Sequence, residues 1–196
     1  SSTLSALTTE TSLPSLADVL MSEKDTVRIE DCIQWTSIEN LQLLKSTLRL
    51  SKFDAFVQQE MTQYPSPWII LREKFERSKL DFDIVLIDCP PALSLLTCNA
   101  LAASDSYLIP VESGSNYAIQ GLDDLVSIVA NIRHKLSLDL RCIGILLTKH
   151  MKAQTACRVM EQELRKKHAD AVLTTTIRLT TKFKQAEGMK TPVITF

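Results

Sequence analysis

From residue 81 onward, short aliphatic runs alternate with stretches whose apolar residues recur at helical spacing. The aliphatic runs lie at 84–87, 107–111 and 142–147, and residues 171–177 form a further stretch rich in β-formers. Between the later runs, apolar side chains recur every three or four positions over 118–132 and 156–164, which is typical of helices that cover a sheet. Strands that alternate with helices favour parallel pairing through crossover connections. The sequence therefore predicts an α/β fold with a mostly parallel sheet.

The first part of the chain is less regular and adds shorter elements. Residues 15–20 are predicted to form a short helix and residues 40–44 a strand. Residues 68–75 are predicted to form a helix after a proline-rich start. No internal repeat, low-complexity tract or long linker interrupts the sequence, so residues 1–196 are expected to form a single domain.

Composition excludes several classes of protein. The net charge is −1, so no overall positive field attracts the chain to nucleic acid or to an anionic membrane. The longest apolar runs, such as 143–147, are too short to cross a bilayer. The first residues lack the basic start and long apolar stretch of a signal peptide. A cytoplasmic protein without membrane association is expected.

The five cysteines include no Cys-x-x-Cys pair, which argues against a disulfide framework and a local zinc site. Reduced and mostly buried thiols are expected, with an iron–sulfur cluster shared between chains as the alternative. The three histidines, His134, His150 and His168, are too scattered for a metal site of known spacing and are expected on the surface. Cys89 has no histidine in a matching motif, so packing is favoured over nucleophilic chemistry.

Asp88 follows the aliphatic run at 84–87, which is predicted to be a strand covered on both faces. A carboxylate at the carboxyl edge of a parallel sheet lies where ligands bind, and it can hold a hydrated Mg²⁺ that bridges nucleotide phosphates. Pro90 and Pro91 cannot extend the strand. The alternative is that Asp88 caps the following helix, and the local pattern by itself leaves both interpretations open.

The wider sequence resembles the ParA/Soj partition ATPases, members of the SIMIBI-class, deviant-Walker group that includes the MinD proteins. The resemblance covers essentially the whole chain, in order and spacing. The stretches that carry it are 82–91, 95–101, 103–111, 117–122, 144–148, Ala186 and 192–194, with weaker likeness at 2–7, 16–20 and 39–44.

The resemblance implies a three-layer P-loop NTPase-like fold that binds ATP and Mg²⁺. Asp88 resembles the Walker B carboxylate that holds Mg²⁺ through water and helps to place the attacking water. Thr148 and Lys149 fall where the family lines the adenine pocket, and Ile177 and Arg178 fall on the other side of that pocket.

This chain departs from the family at several of these positions. The family usually has proline where Arg178 stands. Met151 and Ala153 replace acidic and arginine residues that are often seen after the third strand.

No Gly-x-x-x-x-Gly-Lys-[Ser/Thr] loop occurs in the 196 residues. The family's first strand and phosphate loop would precede Ser1, and a further helix would follow Phe196. The chain is therefore expected to be a ParA-like domain that is truncated at both ends. These 196 residues alone are not expected to hydrolyse ATP. The alternative is a non-catalytic DNA-binding or scaffold module that lacks the loop.

A run of basic residues follows the last predicted strand, with Arg178, Lys182, Lys184 and Lys190 close together. In the resembling family this stretch contributes to ATP-dependent, sequence-neutral contacts with DNA phosphates. The alternative is a solvated basic face without a ligand. The second basic cluster, residues 165–168, is expected to be the cationic end of a helix.

The resemblance implies a plasmid or chromosome partition protein. An ATP-sandwich homodimer would bind DNA nonspecifically, associate with the nucleoid, and be reset by a ParB-type centromere-binding activator. The alternative within the group is a MinD-like division-site ATPase that binds the membrane.

Overall fold

The structure is a computed structural model that describes residues 13–22, 26–60, 64–90, 92–114 and 116–195. It divides into two compact units, residues 1–103 with 184–196 and residues 104–183. Each unit has its own hydrophobic core. The family-like stretch at 2–7 lies outside the described residues, and the single domain over 1–196 stays a prediction.

The first unit combines short helices with a small antiparallel sheet. Its elements are α1 (Leu16–Leu20), β1 (Ile33–Trp35), β2 (Gln42–Leu44), α2 (Phe53–Gln59), α3 (Ile70–Glu76) and α4 (Leu95–Ala102). Strands β1 and β2 pair antiparallel, with Trp35 opposite Gln42. The predicted helices at 15–20 and 68–75 and the predicted strand at 40–44 are confirmed, with ends shifted by one or two residues.

Helix α1 starts at a capping box. The Ser15 backbone N–H and hydroxyl both donate to Asp18 Oδ2, at 2.8 and 2.7 Å. These hydrogen bonds lower the pKa of Asp18 from its ordinary value, because they favour the charged carboxylate. The helix then buries Leu20 in a cluster with Phe53, Val57 and neighbouring residues of α3.

The second unit contains the parallel sheet that the alternating pattern predicts. Its elements are β3 (Ser106–Glu112), α5 (Asn116–Lys135), β4 (Arg141–His150), α6 (Thr155–His168) and β5 (Val172–Arg178), and α7 (Lys182–Met189) follows them. The strand order is β3-β4-β5, with Glu112 opposite Thr148 and His150 opposite Arg178. The predicted strands at 107–111, 142–147 and 171–177 and both predicted helices are confirmed.

The core of this unit packs the two long helices against the sheet. Its buried members are Ile109, Val111, Leu122, Ile145, Leu147, Met160, Leu164 and Val172. Residues 165–168 form the last turn of α6, which confirms the cationic helix end. Within the described ranges, no helix is both long and apolar enough to cross a membrane.

The prediction of a strand at 84–87 is wrong. Residues 83–90 have no regular secondary structure, and Ile84, Val85 and Leu86 are 77%, 53% and 90% exposed. Ile87 is half-buried against the cluster that contains Leu20 and Phe53. A strand is stabilised by ladder hydrogen bonds, and no described residue pairs with 84–87 in a ladder. An aliphatic run without such a partner does not form a strand by itself.

Asn99 connects α4 to the start of α3. Its side chain is fully buried; Oδ1 accepts from the Leu71 N–H at 3.0 Å, and Nδ2 donates to the Pro67 and Leu95 carbonyls at 2.8 and 2.9 Å. A buried amide is tolerated only when its hydrogen bonds are made, and here every described contact is to backbone.

We expect Asn99→Ala to lower the free energy of unfolding by roughly 2–4 kcal/mol, because it leaves buried backbone groups without partners. Asn131→Ala, at an exposed position of α5, is the matched control and should change stability by less than about 0.5 kcal/mol. Urea unfolding of the natural protein measures both. Equal midpoints for the two variants would contradict the connecting role of Asn99.

Gly144 lies where β4 bulges against β3 and runs close to the start of β5. The register shifts by one residue between Tyr107 and Leu108, and Gly144 has φ +150°. A Cβ at Gly144 would come within 2.7 Å of Leu173 Cδ2 and 2.9 Å of the Ala171 carbonyl oxygen. Glycine is therefore required by backbone angle and by space.

We expect Gly144→Ala to destabilise the protein by roughly 1–3 kcal/mol, because the carbonyl cannot move without disturbing the sheet. Gly121→Ala on α5, where a Cβ meets nothing within 4 Å, should be neutral or stabilising by up to about 1 kcal/mol. Thermal unfolding of both variants is the measurement. A Gly144→Ala variant as stable as the native protein would refute the close approach.

Candidate functional site

Four of the predicted site residues lie at one edge of the parallel sheet. Thr148 and Lys149 are close to the end of β4, and Ile177 and Arg178 end the neighbouring strand β5. The ladder places His150 opposite Arg178, so these strand ends lie side by side. The carboxyl edge of a parallel sheet is where ligands bind in open α/β folds. The structure thus brings the four together where the sequence expects them, and their roles stay predictions.

Thr148 is half-buried and joins β4 to the end of β3. Its hydroxyl donates to the Val111 carbonyl at 3.2 Å, and its own carbonyl accepts from the Ser113 N–H at 2.9 Å. Since the hydroxyl proton is used inside the protein, Thr148 Oγ1 can offer only lone pairs to a ligand.

Lys149 is exposed and forms an ion pair across the same two strands. Its Nζ lies 2.7 Å from Glu112 Oε2, and both side chains are 57% exposed. An exposed pair of this kind contributes about 0–1 kcal/mol, so a ligand anion can replace the carboxylate at little cost. The backbone of Lys149 has φ +49°, a left-handed conformation that is uncommon for a residue other than glycine.

His150 lies in the interior, so the expectation that all three histidines lie on the surface is wrong for it. It is 1% exposed, whereas His134 is exposed. Simple alternation after the buried residues Ile145 and Leu147 would turn Lys149 inward. The left-handed angle at Lys149 shifts the register by one, so that lysine faces solvent and histidine faces the core. Sequence reasoning missed His150 because no sequence signal marks this shift.

Asp88 is an exposed residue of the first unit, in the irregular segment 83–90. Pro91 lies outside the described residues. Cys89, which follows Asp88, is exposed, so the expectation that it packs in the interior is wrong. Desolvation and the negative charge of Asp88 raise the pKa of the Cys89 thiol, which disfavours the reactive thiolate.

The predicted DNA-contacting lysines lie on the first turn of α7. Lys182 and Lys184 are exposed, as is Arg178 at the end of β5. The amino end of a helix is unfavourable for cations because the backbone N–H groups are partly positive there. The charge of the helix end therefore does not favour two lysines at this position.

Among the described residues, no group of three or more His, Cys, Asp or Glu side chains is placed to hold a metal ion. The five cysteines are all free thiols; Cys32, Cys98 and Cys157 are buried. Burial raises the pKa of the Cys32 thiol to about 11, which keeps it protonated at neutral pH.

Solved structures with the same fold include nucleotide-bound proteins. A McdA variant from Cyanothece in complex with ATP has a TM-score of 0.79 and 19% identity, covering 95% of this chain and 70% of that one. A cobyrinic acid a,c-diamide synthase from Mycobacterium smegmatis, with a bound ATP analog and magnesium, has a TM-score of 0.74 and 24% identity, covering 87% and 66%. The chain therefore has the α/β fold of the P-loop NTPases.

The sequence comparisons narrow this class. A family model described as an AAA domain matches residues 1–142. The sporulation initiation inhibitor protein Soj of Bacillus subtilis is 34% identical over 180 residues, which are 91% of this chain and 68% of Soj. The chromosome partitioning protein ParA of Myxococcus xanthus is 34% identical over 135 residues, 68% of this chain and 46% of that protein. The chain belongs to the ParA/Soj family of P-loop partition ATPases, and it spans about half to two thirds of the length of these relatives.

Proposed function

We propose that the protein partitions DNA in an ATP-dependent cycle, with the carboxyl edge of β4 and β5 as the base side of its nucleotide site. The observation that carries the proposal is the alignment of Thr148, Lys149, Ile177 and Arg178 along that edge, in a chain 34% identical to Soj over 91% of its length. ATP and Mg²⁺ are the proposed ligands, as in the similar structures with ATP or with an ATP analog and magnesium.

The side chains at the edge fit a nucleotide. Thr148 Oγ1 is an acceptor, the exposed part of Ile177 supplies an apolar surface, and the cations of Lys149 and Arg178 suit phosphate or ring nitrogen. Asp88 would hold Mg²⁺ through water and orient the attacking water. Bound Mg²⁺ would neutralise charge that develops on the phosphates during hydrolysis. These 196 residues contain no phosphate loop, so the tests use the natural protein that carries them.

We expect Asp88→Asn to lower kcat for ATP hydrolysis at least roughly 100-fold while ATP still binds, because the amide cannot hold the hydrated cation or accept a proton. Asp83→Asn, another exposed carboxylate of the same irregular segment, is the matched control and should hydrolyse ATP at the native rate. Steady-state phosphate release and ATP titration separate the two quantities. Native turnover in Asp88→Asn would rule out the proposed role.

DNA binding is proposed for Arg178, Lys182 and Lys184. Exposed cations that end β5 and begin α7 can contact backbone phosphates without reading sequence. The proposed cycle joins two subunits around ATP, binds DNA nonspecifically and ends when a ParB-type activator stimulates hydrolysis. It would place the protein in the cytoplasm on the nucleoid.

We expect Lys184→Gln to weaken binding of the ATP-bound protein to DNA of any sequence and to reduce the slope of log K against log salt by about one, since one phosphate contact is lost. Lys166→Gln, an exposed lysine in the last turn of α6, is the control and should leave the slope unchanged. Fluorescence anisotropy across a salt series measures both. An unchanged slope for Lys184→Gln would exclude Lys184 from the interface.

A further inference from the structure

His150 is the buried centre of a partly exposed polar chain that no part of the proposed cycle uses. Its Nδ1 lies 2.9 Å from Ser113 Oγ, and its Nε2 lies 3.3 Å from Glu161 Oε2. The His150 side chain has no exposed area. The contact with Glu161 has the distance of an ion pair without the alignment of a hydrogen bond, so Nε2 is a buried nitrogen with no hydrogen-bond partner among the described residues.

The charge of Glu161 favours one tautomer of His150, and the tautomer sets the direction of the hydrogen bond to Ser113. A carboxylate only accepts, so the imidazole proton is favoured on Nε2, facing Glu161. In that tautomer Nδ1 carries a lone pair, and we infer that the Ser113 hydroxyl, 2.9 Å away, donates to it. The Ser113 hydroxyl is therefore held towards the interior by the imidazole of His150. Glu161, on α6, orients that imidazole in turn.

Glu161 is in turn held by Arg165 on the same helix. Arg165 Nε and Nη2 donate to Glu161 Oε1 at 3.0 and 2.9 Å, which leaves Oε2 for the imidazole. Arg165 also donates to the carbonyls of Val172 and Leu173 at 3.1 and 3.0 Å, at the start of β5. The chain Ser113–His150–Glu161–Arg165 thus links the end of β3 to helix α6 and to the start of β5.

His150 also joins all three strand ends of the candidate site. Its side chain contacts Ser113, which follows β3, and its carbonyl accepts from the Leu179 N–H at 3.3 Å, after β5. Ser113 leads into Gly114, whose φ of +91° turns the chain towards α5. Loss of the His150–Ser113 bond would therefore weaken the link between residues 113–114 and β4, which the Ser113 N–H to Thr148 carbonyl bond also maintains.

We propose that His150 is a positioning residue of the nucleotide site, and that it acts through the Ser113 hydroxyl to fix residues 113–114, which follow β3, against the end of β4. This inference rests on the proposed ATP site. A misaligned buried imidazole is a costly way to fill a core, since an apolar side chain of similar volume needs no partner. A positional role at the site accounts for its presence.

Two substitutions of His150 distinguish the contribution of its Nδ1 from that of its Nε2. An asparagine amide reaches the position of Nδ1 and can keep the bond to Ser113, whereas a glutamine amide reaches the position of Nε2 and cannot. We expect His150→Gln and Ser113→Ala to raise the Kd and KM for Mg–ATP roughly tenfold, the scale of one lost buried hydrogen bond. Saturated kcat should change less than about twofold, because base-side positioning is shared by ground and transition states.

His150→Asn should retain an affinity within about threefold of the native protein, and His134→Gln, at an exposed histidine of α5, is the control. The double variant Ser113→Ala with His150→Gln should bind no more weakly than either single variant, because both remove the same bond. Circular dichroism first checks that each variant has the secondary structure of the native protein. Calorimetric titration with Mg–ATP then gives the Kd of each variant.

Native-like ATP affinity in His150→Gln and Ser113→Ala overturns this inference alone, and so does equal weakening by His150→Asn and His150→Gln. A native protein that binds no ATP overturns the proposed function and this inference together. Ser113→Ala changes one half-buried atom, so it keeps the test decisive even if the histidine variants fold poorly.

Discussion

The parallel backbone ladder of β3, β4 and β5 is the constraint on which the candidate site depends. Parallel strands end at the same edge, so the ladder brings together side chains that are far apart in sequence. Thr148 and Ile177 lie on neighbouring strand ends for this reason. The helices α5 and α6 cover the sheet and bury Ile145 and Leu147 in its centre, so the edge stands on a packed layer. The candidate site residues of β4 and β5 are thereby held on strands of a packed sheet.

One residue in an uncommon backbone conformation decides which side chains the edge presents. At Lys149 the left-handed angle interrupts the alternation of β4. The lysine turns to solvent and pairs with Glu112, while His150 enters the interior and meets Ser113 and Glu161. The exposed charge of Lys149 and the interior polar contacts of His150 both result from the left-handed backbone angle at Lys149. Backbone strain of this kind is concentrated at functional sites, which agrees with the proposed nucleotide edge.

The irregular segment 83–90 illustrates how far a strand depends on its neighbours. Its residues have the composition of a central strand, yet Leu86 is 90% exposed and no described residue forms a ladder with the segment. Burial on both faces and hydrogen bonds on both edges come from other elements. The proposed role of Asp88 therefore rests on the family resemblance and on its own carboxylate, and not on the geometry of a strand end.

The sequence by itself determined the α/β class, the order of β3, α5, β4, α6 and β5, and the ParA/Soj family, because periodicity and motif order are properties of the chain. It also located Thr148 and Ile177 at strand ends. Tertiary structure decided that residues 84–87 are not a strand and that His150 is buried, because ladder partners and the angle at Lys149 depend on contacts distant in sequence. The polar chain from Ser113 to Arg165 joins β3, β4 and α6, whose residues no local pattern relates. The local spacing of apolar residues predicts helices and strands, whereas contacts between residues distant in sequence determine which side chains touch.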